Sequence, residues 1–411
     1  MPLLLKLCLY DFKKASRNYR ELSVVTEAGY QVKVLAAVVS SPCESGNIDE
    51  EHGFEVHRFD SFPKSKVPYV TTARVKKSVF EKIKRFFLNF VFVIRWAKKA
   101  RSFRADVMSC HDLSALFIGY LSNIFLRKSQ KTKLVYDSHE FEIGRNESRN
   151  VIMGFIIRIV ERFLIGKSVL VVIPNDIAAD GVTRAHKLKT RPLVIRSIPP
   201  NWNIDKIVCE KQRQEYIRLA NVSFEPFFVM YHGLIKGSRG IEVLIQVISM
   251  NPNIVGVILG YTRDDNYFDK IKHLVDEYEV TDRILFLPTV TIDRLWEFVG
   301  AADVGVSILQ NTCTNHYYSL NNKFFENIQS LTPVIVSDFP EMRRIVNQYD
   351  IGLLCDPGSV EEINDCVERM RTDKELYSKF KKNLLIAKDQ LCWENEKKGL
   401  FMAYKNLREE L

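Results

Sequence analysis

Short runs of Val, Ile and Leu alternate with segments whose apolar positions recur every three or four residues, almost from end to end of the chain. The period-free runs suit buried strands and the 3.6-residue period suits amphipathic helices. In the first half the pattern predicts strands over Leu3–Tyr10, Gln31–Val39, Phe54–Phe59, Asp106–Cys110, Lys133–Tyr136, Ser168–Ile173 and Pro192–Ile195. Helical stretches such as Ser16–Gly29, Leu113–Leu126 and Val151–Ile165 separate most of them. The second half repeats the rhythm with strands over Phe227–Tyr231, Val255–Leu259, Ile284–Leu287, Val304–Leu309, Pro333–Val336 and Gly352–Leu354. Helices are predicted to begin near Ile241, Asp265, Ile292, Asn322 and Glu341.

Strands that are apolar throughout, spaced by helices, imply parallel sheets covered on both faces. Right-handed crossovers then make each half a doubly wound α/β domain. The boundary falls at SIPPNWNIDK, where Pro199 and Pro200 stop any element. The expected organisation is a first Rossmann-like domain over 1–198, a linker over 199–226, a second Rossmann-like domain over 227–388 and a terminal helix over 389–411. A chain of 411 residues suits two cores of this size.

Charge adds one feature that the pattern does not. The chain carries +9, yet residues 74–104 hold eleven Lys/Arg against one acid, Glu81, so the rest sums to −1. Within that segment Val79, Ile83, Phe87, Phe90, Ile94 and Ala97 form a helical stripe, with Trp96 beside it and available to an interface. A basic amphipathic helix of this kind suits an anionic membrane surface, while its alternative is a core-facing helix with solvated charges. Nucleic acid is not the expected partner, because the cations flank an apolar block rather than interleaving with stacking aromatics. The eight cysteines show no zinc-like or disulfide-framework spacing. The N-terminus reads as a strand rather than a signal peptide, and a cytoplasmic protein, peripheral on the inner face of the membrane, is expected.

Neither half has a G-x-G-x-x-G or Walker-type loop, and no D-x-D pair occurs, so no cofactor and no metal site are expected. Two segments carry candidate chemistry. In YHGLIKGSRGIEVLI (231–245) a strand ends, Gly233, Gly237 and Gly240 follow, and a helix begins. Such a turn lets backbone approach a phosphate, with Lys236 and Arg239 adding charge; the alternative is a plain solvated loop. In SLNNKFFENIQSLTPVIVSD, Asn321 or Asn322 can cap a helix carrying Lys323 and Glu326, whose carboxylate can accept ribose hydroxyls; the alternative is an ordinary surface glutamate.

With ADVMSCHDLSALFIGYL, KLVYDSHEFE, FLPTV, ADVGVSIL and NKFFE…PVIVSDFPE in this order, the chain resembles the retaining GT-B glycosyltransferases with a Glu-x7-Glu signature. The resemblance implies two Rossmann-like domains facing across a cleft, the first on the acceptor side and the second binding a nucleotide-sugar. It implies metal-independent transfer, with retention, from a nucleotide-diphosphate sugar to a glycan or lipid-linked acceptor in bacterial surface polysaccharide synthesis. A catalytically inactive scaffold binding a glycan or partner is the alternative. Carried over residue by residue, Arg239 holds the diphosphate with Gly233, Asn322 and Lys323, and Glu326 holds the ribose. Thr289 and Val290 receive the nucleobase, and His139 faces the donor sugar, with His111 and Asp112 on the acceptor side. Arg239, His139 and Glu326 would be catalytic. The chain departs from the pattern at Tyr318, which replaces the first glutamate, and at Leu234, where a second phosphate-binding Arg often sits.

Overall fold

Runs such as SVLVVI have no polar face to offer solvent, so they are stable only where helices cover both sides of a sheet. The computed structural model describes residues 1–10, 12, 16–38, 46–59, 79–138 and 151–411. In it, β1 (Leu3–Cys8), β2 (Gln31–Ala37), β3 (Ile48–Glu51), β4 (Phe54–Phe59), β5 (Val107–His111), β6 (Lys133–Asp137), β7 (Ser168–Ile173) and β8 (Leu193–Val194) form one sheet. Its order is β3-β4-β2-β1-β5-β6-β7-β8. Every pairing among these is parallel except β3 with β4, a polar edge hairpin that the apolar pattern did not predict.

One face of this sheet is covered by α1 (Ser16–Glu27) and by the chain's last helix. The other carries α2 (Val79–Ser102), α3 (Asp112–Ser122), α4 (Val151–Ile165) and α5 (Asp176–His186). Alternation along β1 divides its side chains accordingly: Leu5 and Leu7 join α2–α5, while Leu4 and Cys8 join α1. On α2 the core-facing residues are Phe92, Trp96, Ala97 and Ala100. Trp96, expected to be available to an interface, is fully buried, and burying an aromatic of that size outweighs any gain from surface contact.

The chain continues through α6 (Lys206–Ala220), which lies inside the stretch expected to be linker and packs Tyr216 and Ala220 against Phe228 and Met230. Then come β9 (Phe227–Ile235), α7 (Ile241–Met250), β10 (Ile254–Thr262), α8 (Asp265–Glu277), β11 (Ile284–Leu287), α9 (Leu295–Val299), β12 (Val304–Ser307), α10 (Thr314–Tyr317), α11 (Asn322–Gln329), β13 (Val334–Ser337), α12 (Pro340–Tyr349) and β14 (Gly352–Cys355). These strands pair in parallel in the order β11-β10-β9-β12-β13-β14. After α13 (Val360–Thr372) and α14 (Lys374–Gln390), helix α15 (Trp393–Glu409) crosses back to the first sheet, where Trp393, Leu400, Tyr404 and Leu407 are buried. Two chain passages therefore connect the halves. They are tied by the Trp393 N–H donating to the Pro199 carbonyl at 2.9 Å and by the forked Arg196–Glu396 pair.

Candidate active site

In each sheet the strand order reverses beside the first strand, between β1 and β5 and between β9 and β12, and crevices open at such switch points at the carboxyl ends. In the second sheet, β9 runs out through Tyr231, His232 and Gly233 into the loop that starts α7, and β12 runs out toward α11. Gly240 caps α7 with φ +80°, and a Cβ there would lie 2.3 Å from the Ile308 carbonyl, so only glycine lets the loop lie against the exit of β12. The Gln310 N–H, donating to the Ser238 carbonyl at 3.0 Å, fastens the same loop.

On the other side of the crevice, Asn321 caps α11 by accepting from the Phe324 N–H at 3.1 Å and also bonds Ser307. That cap fixes the first turn, which carries Asn322 and Lys323, and Glu326 lies one turn on. The Lys323 ammonium stands 3.6 Å from the centre of the Tyr231 ring. Burial, and then the neighbouring Arg239 guanidinium, push its pKa down to about 7, against the pull of Glu326. Glu326 accepts a hydrogen bond from His232 Nε2 at 2.9 Å. Since the carboxylate can only accept, the His232 proton is on Nε2, and Nδ1 is buried without a partner. Arg239, Lys323 and Glu326 are thus brought to one crevice with Gly233. Thr289 and Val290 follow β11, two strands from β9, roughly 10 Å along the sheet.

At the first sheet's switch point, Tyr10 leaves β1 and His111 ends β5. The Tyr10 hydroxyl lies 3.1 Å from His111 Nδ1 and accepts from Asn18 Nδ2 at 2.5 Å, and burial pushes the phenol's pKa up. Asp112 begins α3 with φ +65°, a left-handed conformation that this chain also uses at helix C-caps such as Lys187, Asn221 and Asp350. His139, one residue beyond Ser138, lies outside the described residues.

The two carboxyl edges meet. Asn175 Nδ2 donates to the Tyr318 carbonyl at 2.9 Å, so Tyr318 sits where the second domain touches the first, its ring edge-on to Tyr317. The buried Glu341 accepts from the Ile177 N–H, at the N-terminus of α5, at 2.6 Å, and Arg344 pairs with Asp176 at 3.0 Å. Arg20 on α1 donates to the Ile198 carbonyl; burial pushes its pKa down, and the nearby Glu326 is among the charges that pull it back. Its Nε is buried and has no partner. Sequence reading missed His232, Tyr231, Arg20 and Asn175. A histidine directly before the first loop glycine was the one available signal, and the others depend on cross-chain proximity.

Among known proteins, residues 213–384 match the family described as Glycosyl transferases group 1. The whole chain is similar in fold to sucrose-phosphate synthase from Thermosynechococcus elongatus, with TM-score 0.73, 16% identity and 100% of both chains covered. It is also similar to HepE from Anabaena in complex with UDP, with TM-score 0.70, 14% identity, and 100% and 99% of the two chains covered. A glycosyltransferase from Rickettsia africae superposes with TM-score 0.73 at 12% identity, over 100% and 99% of the chains. No curated protein matches the chain in sequence.

Proposed function

We propose that this chain, whose residues 213–384 match the glycosyl transferases group 1 family within a GT-B fold, is a glycosyltransferase that moves a sugar, with retention, from a nucleoside-diphosphate sugar to a glycan or lipid-linked acceptor. The observation that carries this reading is the convergence of Lys323, Arg239 and Glu326 on the crevice beside β9. Two cations and the N-termini of α7 and α11 suit a diphosphate, and a carboxylate held by His232 suits the ribose hydroxyls. Lys323 stands in for the absent arginine at Leu234. The nucleobase lies toward Thr289 and Val290, and the acceptor enters past Tyr10, His111 and Asp112; His139 is assigned to the donor sugar by the family resemblance alone. A uridine nucleotide is the first donor to test, since HepE binds UDP.

In the transfer step the bond from the anomeric carbon to the diphosphate oxygen breaks, and an acceptor oxygen bonds on the same face. The acceptor's proton leaves with the diphosphate. Arg239 and Lys323 stabilise the departing charge, and such electrostatic stabilisation is usually what lowers the barrier most. The domain contacts at Tyr318 and Glu341 exclude water, which would otherwise hydrolyse the donor. This chemistry needs no bound metal, and surface polysaccharide synthesis is the setting it suits.

The test is a panel of nucleotide sugars with glycan and polyprenyl-diphosphate acceptors, following nucleoside-diphosphate release and the product's anomeric configuration by NMR. Turnover that survives EDTA and yields the donor's own anomer is expected. An inverted product, or activity lost to EDTA and restored by magnesium, contradicts the proposal.

A pH dependence follows from Lys323. The free enzyme holds Lys323 charged below about pH 7 and neutral above it. kcat/KM for the donor should therefore fall as pH rises through about 7, while kcat at saturation falls less, because bound diphosphate keeps the proton on. Lys323→Met should lower kcat/KM at pH 6 and abolish that limb. An unchanged limb in the variant would remove Lys323 from donor binding.

A further inference from the structure

The helix α4 is built inside out. Its only acid, Glu161, is 1% exposed and faces inward, accepting from the Tyr136 hydroxyl at 3.0 Å and pairing with His186 Nε2 at 3.0 Å. Those bonds fix the rotation of the helix. The opposite face then presents Ile152, Phe155, Ile156, Ile159 and Phe163, an apolar stripe at helical spacing, with Ile152 and Phe155 68% and 65% exposed. Exposed single apolar residues mean little, but a contiguous helix face of them marks a contact surface. The surface continues across the neighbouring helices: Tyr120 of α3 packs edge-on against Phe163 at 5.2 Å, and Phe117 of α3 and Phe90 of α2 are also exposed.

Charge identifies the occupant. The exposed charges of α4 are Arg158 and Arg162, and Lys167 follows with its ammonium 5.4 Å from the Phe163 ring centre. In the described part of α2, which packs beside α3, Arg95 and Lys98 are exposed as well. A second copy docking on this face through a twofold axis would set these cations against their own equivalents. An anionic leaflet offers the opposite charge and an apolar layer beneath it. Among the described residues no helix is long and apolar enough to cross a membrane, so contact would be made in the interface plane.

We propose that the outer face of the α2–α3–α4 layer docks on an anionic phospholipid surface, with α4 supplying most of the inserted apolar side chains. α3 starts at Asp112 on the carboxyl edge of the first sheet, so the docked layer reaches the acceptor-side rim of the cleft. Docking there presents the sugar end of a lipid-linked acceptor to the site. That purpose rests on the transferase reading; the docking itself does not.

The experiment is co-sedimentation of the full chain with phosphatidylcholine vesicles containing about a third phosphatidylglycerol, beside pure phosphatidylcholine vesicles. Wild type should pellet with the anionic vesicles only and release at high salt. Phe155→Ser/Ile159→Ser should weaken binding by about tenfold or more, given the apolar area removed. Arg162→Glu/Lys167→Glu should weaken it on anionic vesicles with a smaller salt dependence. Both pairs are exposed, and unchanged thermal unfolding with unchanged donor hydrolysis in solution would show the fold and the active site intact. Wild type remaining in the supernatant at low salt overturns the proposal, as does the apolar variant pelleting like wild type. A wild-type dimer in light scattering that Phe155→Ser/Ile159→Ser converts to monomer also overturns it and makes the face a self-interface. Vesicle binding without hydrolysis of any nucleotide sugar would leave the docking standing and remove the transferase reading instead.

Discussion

Arg239→Ala is expected to lower turnover by about a hundredfold or more while thermal unfolding stays as in wild type. A preorganised donor to developing negative charge supplies about 3–4 kcal/mol of transition-state stabilisation, which corresponds to that factor. The backbone around Arg239 is preorganised in this sense: Ser238 is bonded through its carbonyl to Gln310, and Gly240 is wedged against Ile308. The side chain is partly exposed in the crevice and close enough to lower the Lys323 pKa, so both cations act on one volume. Arg239→Lys should retain part of the activity, because a point charge replaces a two-pronged donor. Measured kcat and kcat/KM should fall together in the alanine variant, since the interaction is strongest on the departing diphosphate. Wild-type turnover in Arg239→Ala would remove this residue from the mechanism.

The second large effect concerns stability. Lys6 lies inside β1 at 1% exposure, with its ammonium 2.5 Å from Asp137 and 3.6 Å from Glu21. Arg17 completes the group, 2.5 Å from Glu21 and 3.5 Å from Asp137. Burial opposes the charge on Lys6, but Asp137 and Glu21 outweigh it and hold the pKa above its usual value. Removing one carboxylate leaves buried cations uncompensated, a loss of about 3–5 kcal/mol. Asp137→Ala should therefore lower Tm by roughly 6–20 °C, at about 2–4 °C per kcal/mol for a domain of this size. The double change Lys6→Met/Asp137→Leu removes both members of a pair and leaves Arg17 with Glu21, so it should be far less damaging. A Tm for Asp137→Ala within 2 °C of wild type, on the order of 1 kcal/mol or less, would mean the cluster is hydrated rather than dry.

The same lysine shows where sequence reading stops. LLLKLC reads as a strand because five of its six side chains are apolar, and the structure makes it one. Nothing in the string indicates that the odd residue points inward, since its partner Asp137 is 131 positions away. Local periodicity determined a great deal more. Phe54–Phe59, Ser168–Ile173, Ile284–Leu287 and Val151–Ile165 have the same bounds in the sequence reading and in the structure. The parallel sheets follow from apolar strands spaced by helices, and the glycine loop and the capped helix of Glu326 are local features of turn chemistry. What a period cannot state is the surface that covers a stripe. The stripe of α2 divides, with Ala97 in the core and Phe90 outside, and α4 turns its apolar side outward because Glu161 finds Tyr136 and His186 inside. The hold of His232 on Glu326, the approach of Arg20 to the cleft and the return of α15 to the first sheet are likewise tertiary. Each joins residues far apart in the chain. Local sequence determines what a segment can bury; only the folded chain selects which partner it is buried against.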